Sequence, residues 1–363
     1  MPSHRQILAR CQRLVPPLSP TLHKGQAGRI AVVGGSQDYS GAPFFSSMTT
    51  LRLGADLAHV ICEPSAGNIV KTYSPDLIVH TDLVQDSTEA SLTKLFESLL
   101  PRLHVLVIGP GLGRSNHMQL AARTAISLAR KKGLFIIIDA DGLWLVQSDP
   151  KLIQGYPKAV LTPNVVEFKR LCKAVVSPPG ERTSVRPTPT KLAYITPTPK
   201  NLDTDSSTSD PSLLAGKLAK ALGGVTVLEK GTVDRIVNND KEEQAWINET
   251  KGSLRRCGGQ GDVLSGAVGC FLAWGLSYLQ KQQGEGGVGE KKSDPITEFE
   301  IPRLAAYAAS TITRTASRLT FEKKKRAMQT SDMLNFVGEA FEEVFPDMVV
   351  EEEQQEEGGK DMQ

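Results

Sequence analysis

The fold is decided by residues 104–138, which read HVLVIGPGLGRSNHMQLAARTAISLARKKGLFIII. The apolar run His104–Ile108 predicts a buried strand, a glycine-rich turn follows it, and residues 116–131 have the apolar spacing of an amphipathic helix. A second apolar run at Phe135–Ile138 predicts the next strand. A strand, a helix and another strand in succession are typical of two parallel strands in one sheet.

The same alternation continues on both sides of this unit. Short apolar runs bounded by turn residues are typical of strands that are covered on both faces. We therefore expect an α/β protein, a three-layer α/β/α sandwich with a central, mostly parallel sheet. The further elements predicted are strands at Ile30–Val33, His59–Cys62, Ala159–Leu161 and Val225–Leu228, and helices over 42–56, 88–100, 164–174, 213–222, 263–280, 302–319 and 331–345.

Three segments depart from this pattern. Residues 177–212 contain seven Pro, six Ser and seven Thr, a composition that cannot bury enough apolar surface to offset its ordering entropy. Residues 281–298 are similarly polar and rich in glycine. We expect residues 1–345 to form one domain, with disordered insertions at 177–212 and 281–298 and an acidic, disordered tail at 346–363.

Composition excludes several classes of protein. The chain has 363 residues, with 42 Lys and Arg against 40 Asp and Glu. Its one dense basic run, Lys323–Arg326, is too short to predict a nucleic-acid partner. No run of about 18 apolar residues predicts a membrane span. The five cysteines form no C-x-x-C pair, so we expect neither a disulfide framework nor a zinc site.

The N-terminal segment allows two interpretations. It has five basic residues and no acidic one before Asp38, as a mitochondrial presequence would. It is poor in Ser, however, and is broken by Pro16, Pro17 and Pro20. The apolar spacing from Ile7 favours a short helix that docks on the domain, so we expect a cytoplasmic protein, with a mitochondrial location as the alternative.

Glycine-rich turns follow several of the predicted strands, at the sheet edge where open α/β proteins bind ligands. The two commonest phosphate loops are absent. A Rossmann fingerprint is broken at Arg114 in one turn and at Leu264 in another, and no G-x-x-x-x-G-K-[ST] motif occurs. The turns that remain are Gly34-Gly35, Gly109–Gly113, Gly231 with its neighbours, and Gly258–Gly261.

The last of these turns, Gly-Gln-Gly-Asp, opens an apolar helix. Glycines there let the backbone approach a phosphate, and the first-turn N–H groups and the helix dipole attract it. The carboxylate of Asp262 would repel a phosphate that merely bound, but it could take the proton of an attacking hydroxyl. The alternative is that Asp262 only caps the helix.

Four other features carry weaker signals. Asn164-x-x-Glu167 predicts either a capping box or oxygen ligands for Mg²⁺. Lys230 follows a strand and either meets a phosphate or lies in solvent. Asp139-x-Asp141 either serves a metal or substrate or caps the next helix. We expect Trp144 and Trp274 to be core residues.

In combination these features resemble the ATP-dependent (S)-NAD(P)H-hydrate dehydratase family, which has a ribokinase-like fold. The resemblance runs from about Leu14 to Phe345, interrupted by the two insertions. The motifs that carry it are HKGQAGRIAVVGGSQDYSGAP (23–43), GADLAHV (54–60), VIGPGLGR (107–114), DADGLWL (139–145), LTPNVVEF (161–168), KGTVD (230–234), GSLRRCGGQGDVLSG (252–266) and AAYAAS (305–310).

The resemblance implies a lyase that repairs hydrated NADH and NADPH: ATP phosphorylates the ring hydroxyl, and loss of phosphate restores the reduced ring. It implies that Asp262 is the base and that Gly259, Gln260 and Gly261 form the anion hole. Arg255 and Arg256 are further candidates for phosphate contacts. ATP is assigned to Lys230, Gly231, Thr232, Val233, Asp234, Gly252, Ser253, Leu254, Arg255, Arg256, Cys257, Gly258, Gly259, Gln260 and Gly261.

The hydrate is assigned, by the same resemblance, to the glycine turn after the 104–108 strand and to the start of the 164–174 helix. Glu167 would help to order Mg²⁺, directly or through water, and ATP is the co-substrate. The residues assigned to the hydrate are Gly111, Gly113, Asn164, Val165, Val166, Glu167, Phe168, Lys169, Arg170 and Asp262.

Two other functions stay open at this point. One is a small-molecule kinase of the same fold, acting on a vitamin or pyrimidine alcohol and stopping at the phosphoester. The other is a nucleotide-binding regulator without turnover. The partners expected for the dehydratase are NADHX, NADPHX and ATP, with a separate epimerase converting the other hydrate epimer. We expect no nucleic-acid or membrane partner, and a homo-oligomer is compatible with the sequence.

Overall fold

A nine-stranded sheet forms the centre of the protein, and its strands run in the order β3, β2, β1, β4, β5, β6, β7, β8, β9. The computed structural model describes residues 2–20, 23–176, 211–238, 244–284 and 294–346. The strands are β1 (Arg29–Val33), β2 (Leu57–Ile61), β3 (Ile78–His80), β4 (Val105–Ile108), β5 (Phe135–Ile138), β6 (Ala159–Leu161), β7 (Thr226–Glu229), β8 (Asp234–Val237) and β9 (Trp246–Asn248).

Helices cover both faces of this sheet. Successive residues of a strand point to opposite faces. Ile30 and Val32 therefore belong to the apolar cluster that contains residues of α1 to α3 and α9 to α12, whereas Ala31 and Val33 belong to the cluster that contains residues of α4 to α8. The helices are α1 (His4–Gln12), α2 (Gly41–Leu53), α3 (Pro64–Tyr73), α4 (Glu89–Leu99), α5 (Asn116–Lys132), α6 (Ala140–Ser148), α7 (Val165–Val175), α8 (Pro211–Ala221), α9 (Gln260–Gly284), α10 (Ile301–Lys324), α11 (Thr330–Met333) and α12 (Val337–Val344).

The predicted fold class is confirmed, because β1 to β7 pair in parallel and only β8 and β9 are antiparallel. The predicted N-terminal helix is also confirmed: in α1, Ile7 and Cys11 are buried, and the thiol of Cys11 donates to the Leu304 carbonyl of α10 at 3.3 Å. Three strands were missed. β3 and β9 have three residues each, and β8 begins with the charged pair Asp234-Arg235, so none shows a long apolar run.

The two predicted insertions need correction at their ends, where the structure describes them. Helix α8 begins at Pro211, inside the predicted 177–212 insertion, whose residues 177–210 lie outside the described residues. Helix α9 continues to Gly284, and after the undescribed residues 285–293 the side chain of Ile296 is 1% exposed. Residues 281–298 are therefore partly ordered, because the chain returns there to the apolar core. Of the predicted tail, residues 347–363 lie outside the described part.

Two helices also differ from their predicted form. The helix expected over 331–345 is α11 and α12, separated by a 3₁₀ turn at Leu334–Phe336. By length and hydropathy alone, residues Gln260–Gln282 of α9 could span a membrane. However, 72% of the apolar 18-residue stretch within this range is buried inside the protein. Burial of this kind is what the central helix of a folded domain shows.

The chain reverses its direction of winding between β1 and β4, which are neighbours in the sheet but far apart in sequence. Such a switch point opens a crevice at the carboxyl ends of the strands. The turns that follow β1 and β4 pack closely here, since a Cβ on Gly34 would lie 2.0 Å from the Pro110 carbonyl oxygen. The Gly35 N–H also donates to the Gly111 carbonyl at 3.0 Å.

Helix α9 approaches α2 so closely that only glycine fits at one position. A Cβ on Gly266 would lie 2.0 Å from the Ser46 carbonyl oxygen, whereas a Cβ on Gly269 in the same helix would meet Ile30 and Val107 at 3.4 Å, an ordinary contact. We expect Gly266→Ala to destabilise the protein by about 1–3 kcal/mol in urea unfolding, because the helices must separate.

The matched control is Gly269→Ala, for which we expect no loss and a gain of up to about 1 kcal/mol from helix propensity. Equal effects of the two substitutions would show that the close approach of α2 and α9 does not limit stability.

Candidate active site

A cleft of about 770 Å³ opens at the carboxyl end of the sheet, between the turn after β7, the segment before α9 and the body of α10. It brings together segments that are up to 153 residues apart, counted from Asn164 to Ser317. The residues that line it are Asn164, Val165, Val166, Lys230, Gly231, Thr232, Asp234, Gly252, Ser253, Arg256, Cys257, Gly258, Gly259, Gln260, Gly261, Leu264, Thr313, Arg314 and Ser317.

Most residues that the sequence assigned to ATP meet in this cleft, but three do not line it. Val233 and Arg255 lie outside its lining, and Leu254 is 88% exposed. The backbone of Arg255 nevertheless shapes the cleft, because its carbonyl accepts hydrogen bonds from Ser253 Oγ and Gln260 Nε2. The segment before α9 is therefore held in place by its own polar groups.

The first turn of α9 faces this cleft. Gly259 precedes the helix with φ +96°, and a Cβ there would lie 2.9 Å from both Phe45 and Thr330. The Val263 N–H closes the first intrahelical bond, to the Gly259 carbonyl at 3.1 Å. The N–H groups of the residues before Val263 have no acceptor within their own helix. This helix start can bind an anion.

Asp262 lies inside the helix. Because α9 begins at Gln260, the capping interpretation of Asp262 is wrong. Burial raises the pKa of Asp262 well above its ordinary value, and the nearby charge of Asp139 adds to that rise while Lys230 opposes it. A carboxylate with a raised pKa beside a set of free N–H groups can accept a proton from a bound hydroxyl.

Lys230 links the cleft to a buried carboxylate. Its Nζ donates to Asp139 Oδ1 at 2.9 Å, and the side chains are 21% and 2% exposed respectively. Burial disfavours the charged form of Lys230, but Asp139, Glu167 and Asp262 outweigh it and raise the pKa of Lys230. Lys230 thus carries a positive charge at the floor of the cleft.

The start of α7 forms the capping box that the sequence allowed. Asn164 Oδ1 accepts from the N–H groups of Val166 and Glu167, and the Asn164 N–H donates to Glu167 Oε2 at 2.8 Å. Burial raises the pKa of Glu167, although Lys230 counteracts part of that rise. Two assignments to the hydrate are corrected here. Phe168 is buried in the core, and Lys169 is exposed and lines neither the cleft nor the smaller pocket described next.

A second, smaller pocket of about 110 Å³ lies beside the first, on the other side of α7. The expectation that Trp144 is a core residue is wrong, because Trp144 lines this pocket with the Arg114 guanidinium 5.6 Å from its ring centre. Trp274 is a core residue, at 3% exposed. The lining residues are Arg114, Ala140, Asp141, Leu143, Trp144, Gln147, Glu167 and Arg170.

The glycine turn after β4 joins this pocket to the switch point. The carboxylate of Asp141 accepts from the Gly113 N–H at 3.1 Å and from Arg114 Nε at 3.2 Å. Gly111 has φ +62° and lies against Tyr39, and Gly113 has φ +72° and lies against Ser36. The glycine turn that was assigned to the hydrate thus contacts the smaller pocket through Asp141, whereas Asn164, Val165 and Val166 line the cleft assigned to ATP.

Arg314 of α10 is the largest omission from the sequence-based site. It forms a two-pronged ion pair with Asp234, Nε to Oδ2 at 2.8 Å and Nη2 to Oδ1 at 2.6 Å. It also donates to the carbonyls of Gly231 and Thr232. Asp234 lines the cleft, and its carboxylate also binds Arg314 and Ser310, so that these side chains fix the 230–234 loop.

Comparisons with known proteins show what the chain is similar to. Residues 30–337 match the family model described as NAD(P)H-hydrate dehydratase. The chain is 48% identical to ATP-dependent (S)-NAD(P)H-hydrate dehydratase 1 of Puccinia graminis f. sp. tritici, over 93% of this chain and 79% of that protein. It is 42% identical to the human ATP-dependent (S)-NAD(P)H-hydrate dehydratase, over 92% of this chain and 83% of that protein.

Solved structures share the fold. A ribokinase-like superfamily protein from Enterococcus faecalis superposes with a TM-score of 0.62 at 20% identity, covering 92% of this chain and 94% of that one. The ADP/ATP-dependent NAD(P)H-hydrate dehydratase from Bacillus subtilis, co-crystallised with ATP/Mg²⁺, superposes with a TM-score of 0.59 at 18% identity, covering 92% and 96%. The expected ribokinase-like architecture is confirmed.

Proposed function

This chain belongs to the NAD(P)H-hydrate dehydratase family, and on that premise we propose how its cleft restores hydrated NADH and NADPH. The protein is an ATP-dependent lyase for the S epimer of the hydrate, rather than a kinase that stops at a phosphoester. The observation that carries the proposed mechanism is the placement of Asp262 in the first turn of α9, near Lys230 and directly after Gly261, which lines a cleft of nucleotide size.

The chemistry follows from the poor leaving ability of hydroxide. ATP transfers its terminal phosphoryl group to the ring hydroxyl: the hydroxyl oxygen forms a bond to phosphorus, the bond to ADP breaks, and the hydroxyl proton goes to a base. The ring nitrogen then donates its lone pair, the carbon–oxygen bond breaks and phosphate departs. Loss of the proton from the adjacent ring carbon completes the restored double bond.

Asp262 is the proposed base for the first step. It accepts the hydroxyl proton as the oxygen attacks phosphorus, and its raised pKa favours that transfer. The N–H groups of Gln260 and Gly261 would bind the transferring phosphoryl oxygens, with Gly259 providing the turn that leaves room for them. Fixed donors of this kind stabilise the charge that develops during transfer.

ATP would occupy the cleft formed by residues 230–234 and 252–261. The Lys230 ammonium lies next to the start of α9 and would meet the phosphates, while Arg256 at the cleft wall would add a second positive charge. Thr313 and Ser317 of α10 line the same cleft and are new candidates for polar contacts with the nucleotide. Arg314 lines the same cleft and holds the loop through Asp234 and the carbonyls of Gly231 and Thr232.

Mg²⁺ would accompany the nucleotide. No three His, Cys, Asp or Glu side chains are grouped to hold a metal ion in the part of the chain that the structure describes. One or two carboxylates with phosphate oxygens and water suffice for Mg²⁺, however, and the carboxylates of Glu167 and Asp139 flank Lys230, so the residues present fit the ion. Bound Mg²⁺ offsets phosphate charge, and Glu167 is its proposed protein partner.

The hydrate would lie over the switch point, between the Gly111–Gly113 turn and the start of α7. Asn164, Val165 and Val166 border both this region and the nucleotide cleft, and Glu167 and Arg170 line the smaller pocket next to it. A ring held there faces the start of α9. We further propose a separate epimerase as functional partner and a cytoplasmic location.

The test is a recovery assay in which hydrated NADH is incubated with the protein and ATP, with ADP in a parallel reaction. We expect the near-ultraviolet absorbance of the reduced nicotinamide to return in proportion to ATP consumed. A stable phosphoester without recovery would support the kinase instead. Nucleotide binding without consumption of ATP would support a regulator.

A further inference from the structure

The side chain of Asp139 does not cap helix α6, although its position predicts that it would. It is the N-cap residue of α6, yet its side chain accepts no hydrogen bond from the first turn of that helix. An Asp in this position ordinarily stabilises the helix through such a bond. The side chain is 2% exposed, and its Oδ1 instead accepts from Lys230 Nζ at 2.9 Å. The placement of this carboxylate is thus explained by Lys230 and not by the helix.

The backbone around Asp139 is strained and tightly enclosed. The next residue, Ala140, has φ +46°, a left-handed backbone conformation that residues other than glycine rarely adopt. A Cβ on Gly109 would lie 1.8 Å from the Asp139 carbonyl oxygen. That carbonyl accepts from the Gly142 N–H at 2.9 Å, and the Asp139 N–H donates to Ile108 at 3.0 Å. Strain of this kind persists where the surrounding structure imposes it, commonly at functional sites.

The ion pair packs directly against the start of α9. A Cβ on Gly261 would lie 3.2 Å from Lys230 Nζ and 4.0 Å from Asp139 Oδ2. Gly261 immediately precedes Asp262, so both members of the ion pair adjoin the turn that would bind the transferring phosphoryl group. The absence of a side chain at Gly261 is what admits Lys230 to this position.

We propose that Asp139 is a positioning residue for the phosphoryl transfer, which holds Lys230 against the first turn of α9. This positioning role rests on the function proposed above. Asp139 acts on the phosphoryl transfer indirectly, through Lys230 and Asp262. The small pocket supplies no comparable argument, because Arg114 and Arg170 there are balanced by Asp141 and Glu167.

The charges that surround Asp262 determine the sign of this effect. Asp139 follows β5, Glu167 lies on α7, Lys230 follows β7 and Asp262 lies on α9, so three carboxylates share one ammonium. Burial disfavours ionisation of Asp262 most strongly, and the negative charge of Asp139 adds to that effect. Neutralising Asp139 removes one repulsive charge and leaves the Lys230 charge without its partner, and both changes favour the ionised form of Asp262.

The experiment compares the pH dependence of kcat/KM in the recovery assay for the wild type and Asp139→Asn. Activity falls on the acid side as Asp262 becomes protonated, and we expect Asp139→Asn to move this limb to lower pH by roughly one unit. We also expect kcat at the plateau to fall more than KM for ATP rises, because a weaker base and a displaced Lys230 affect the transfer step. An unmoved acid limb would overturn the proposal.

Two further variants separate positioning from general damage. Asp141→Asn changes a carboxylate of the same turn that binds Gly113 and Arg114, and we expect it to leave the acid limb in place whatever its effect on KM. Asp139→Glu keeps the negative charge but shifts its position. We therefore expect the acid limb of the pH profile to stay at the same pH and kcat to fall. If Asp139→Asn does not fold, Asp139→Glu carries the test, and an unchanged kcat would contradict the proposed role.

A measurement without substrate separates this inference from the proposed function. Asp262→Asn should raise the free energy of unfolding at neutral pH in the wild type and raise it less in the Asp139→Asn background, because the repulsion is already reduced. An equal gain in both backgrounds would overturn the inference even if the wild type restores NADH. Failure of the wild type to restore NADH would instead overturn the function.

Discussion

Asp262→Asn is expected to lower kcat of the recovery reaction by about a hundred- to ten-thousand-fold, the range that a general base contributes. The Asn side chain keeps the size of Asp262 but cannot accept the hydroxyl proton. The N–H groups at the start of α9 remain, so nucleotide binding should persist within a few-fold, measured by calorimetric titration with ATP. Full turnover in this variant would show that another group is the base.

The same substitution is expected to stabilise the protein at neutral pH. The folded-state pKa of Asp262 is raised well above its ordinary value of 3.8, so the folded state holds more protons than the unfolded state between those two values. The free energy of unfolding of the wild type therefore falls as pH rises through that window. Asn does not titrate, so the free energy of unfolding of the variant does not fall in this window. Below about pH 4 the variant is therefore no more stable than the wild type.

Asp149→Asn is the matched control for both measurements. Asp149 pairs with Arg123 at a partly exposed site beyond the end of α6, with the two side chains 34% and 42% exposed. A surface pair of this kind is worth about 0–1 kcal/mol. We expect no change in kcat and no pH-dependent gain in stability for this variant.

Arg314→Met is expected to destabilise the protein by about 3–5 kcal/mol, because it leaves the Asp234 carboxylate buried and without its cation. Asp234 is 5% exposed, and Arg314 donates in addition to the carbonyls of Gly231, Thr232 and Thr250. The 230–234 loop would lose these anchors, so we also expect a higher KM for ATP. Urea unfolding and initial-rate kinetics check the two effects.

The control for this prediction is Arg318→Met, one turn further along α10. Arg318 pairs with Glu322 and Glu343, but those carboxylates are 51% and 50% exposed. Solvent screens such pairs, so we expect a loss below about 1 kcal/mol and an unchanged KM. Similar effects of the two substitutions would contradict the structural role of the Arg314–Asp234 pair.

The sequence predicted those parts of the fold that depend on local pattern. The buried strands such as Val105–Ile108 and the helices between them follow from apolar periodicity, and the Asn164–Glu167 capping box follows from spacing. The Gly-Gln-Gly-Asp turn predicted a helix start that faces a ligand cleft, because glycine and free N–H groups have that consequence wherever they occur.

Contacts between distant segments could not be predicted in this way. Arg314 lies 80 residues from Asp234, and nothing in its local pattern, a helix interior rich in small residues, distinguishes it from Arg318. Asp139 had two open interpretations because its partner, Lys230, is 91 residues away. Phe168 was assigned to the hydrate with its motif, whereas the turn of α7 directs it into the core.

The central claim is that the ring hydroxyl becomes a phosphate ester before it leaves, and the fate of its oxygen atom tests this directly. Hydrated NADH labelled with a heavy oxygen isotope at the ring hydroxyl is converted with ATP, and the released phosphate is analysed by mass spectrometry. We predict that the label appears in inorganic phosphate, because the carbon–oxygen bond breaks in the elimination. Label recovered in water, with none in phosphate, would contradict the account.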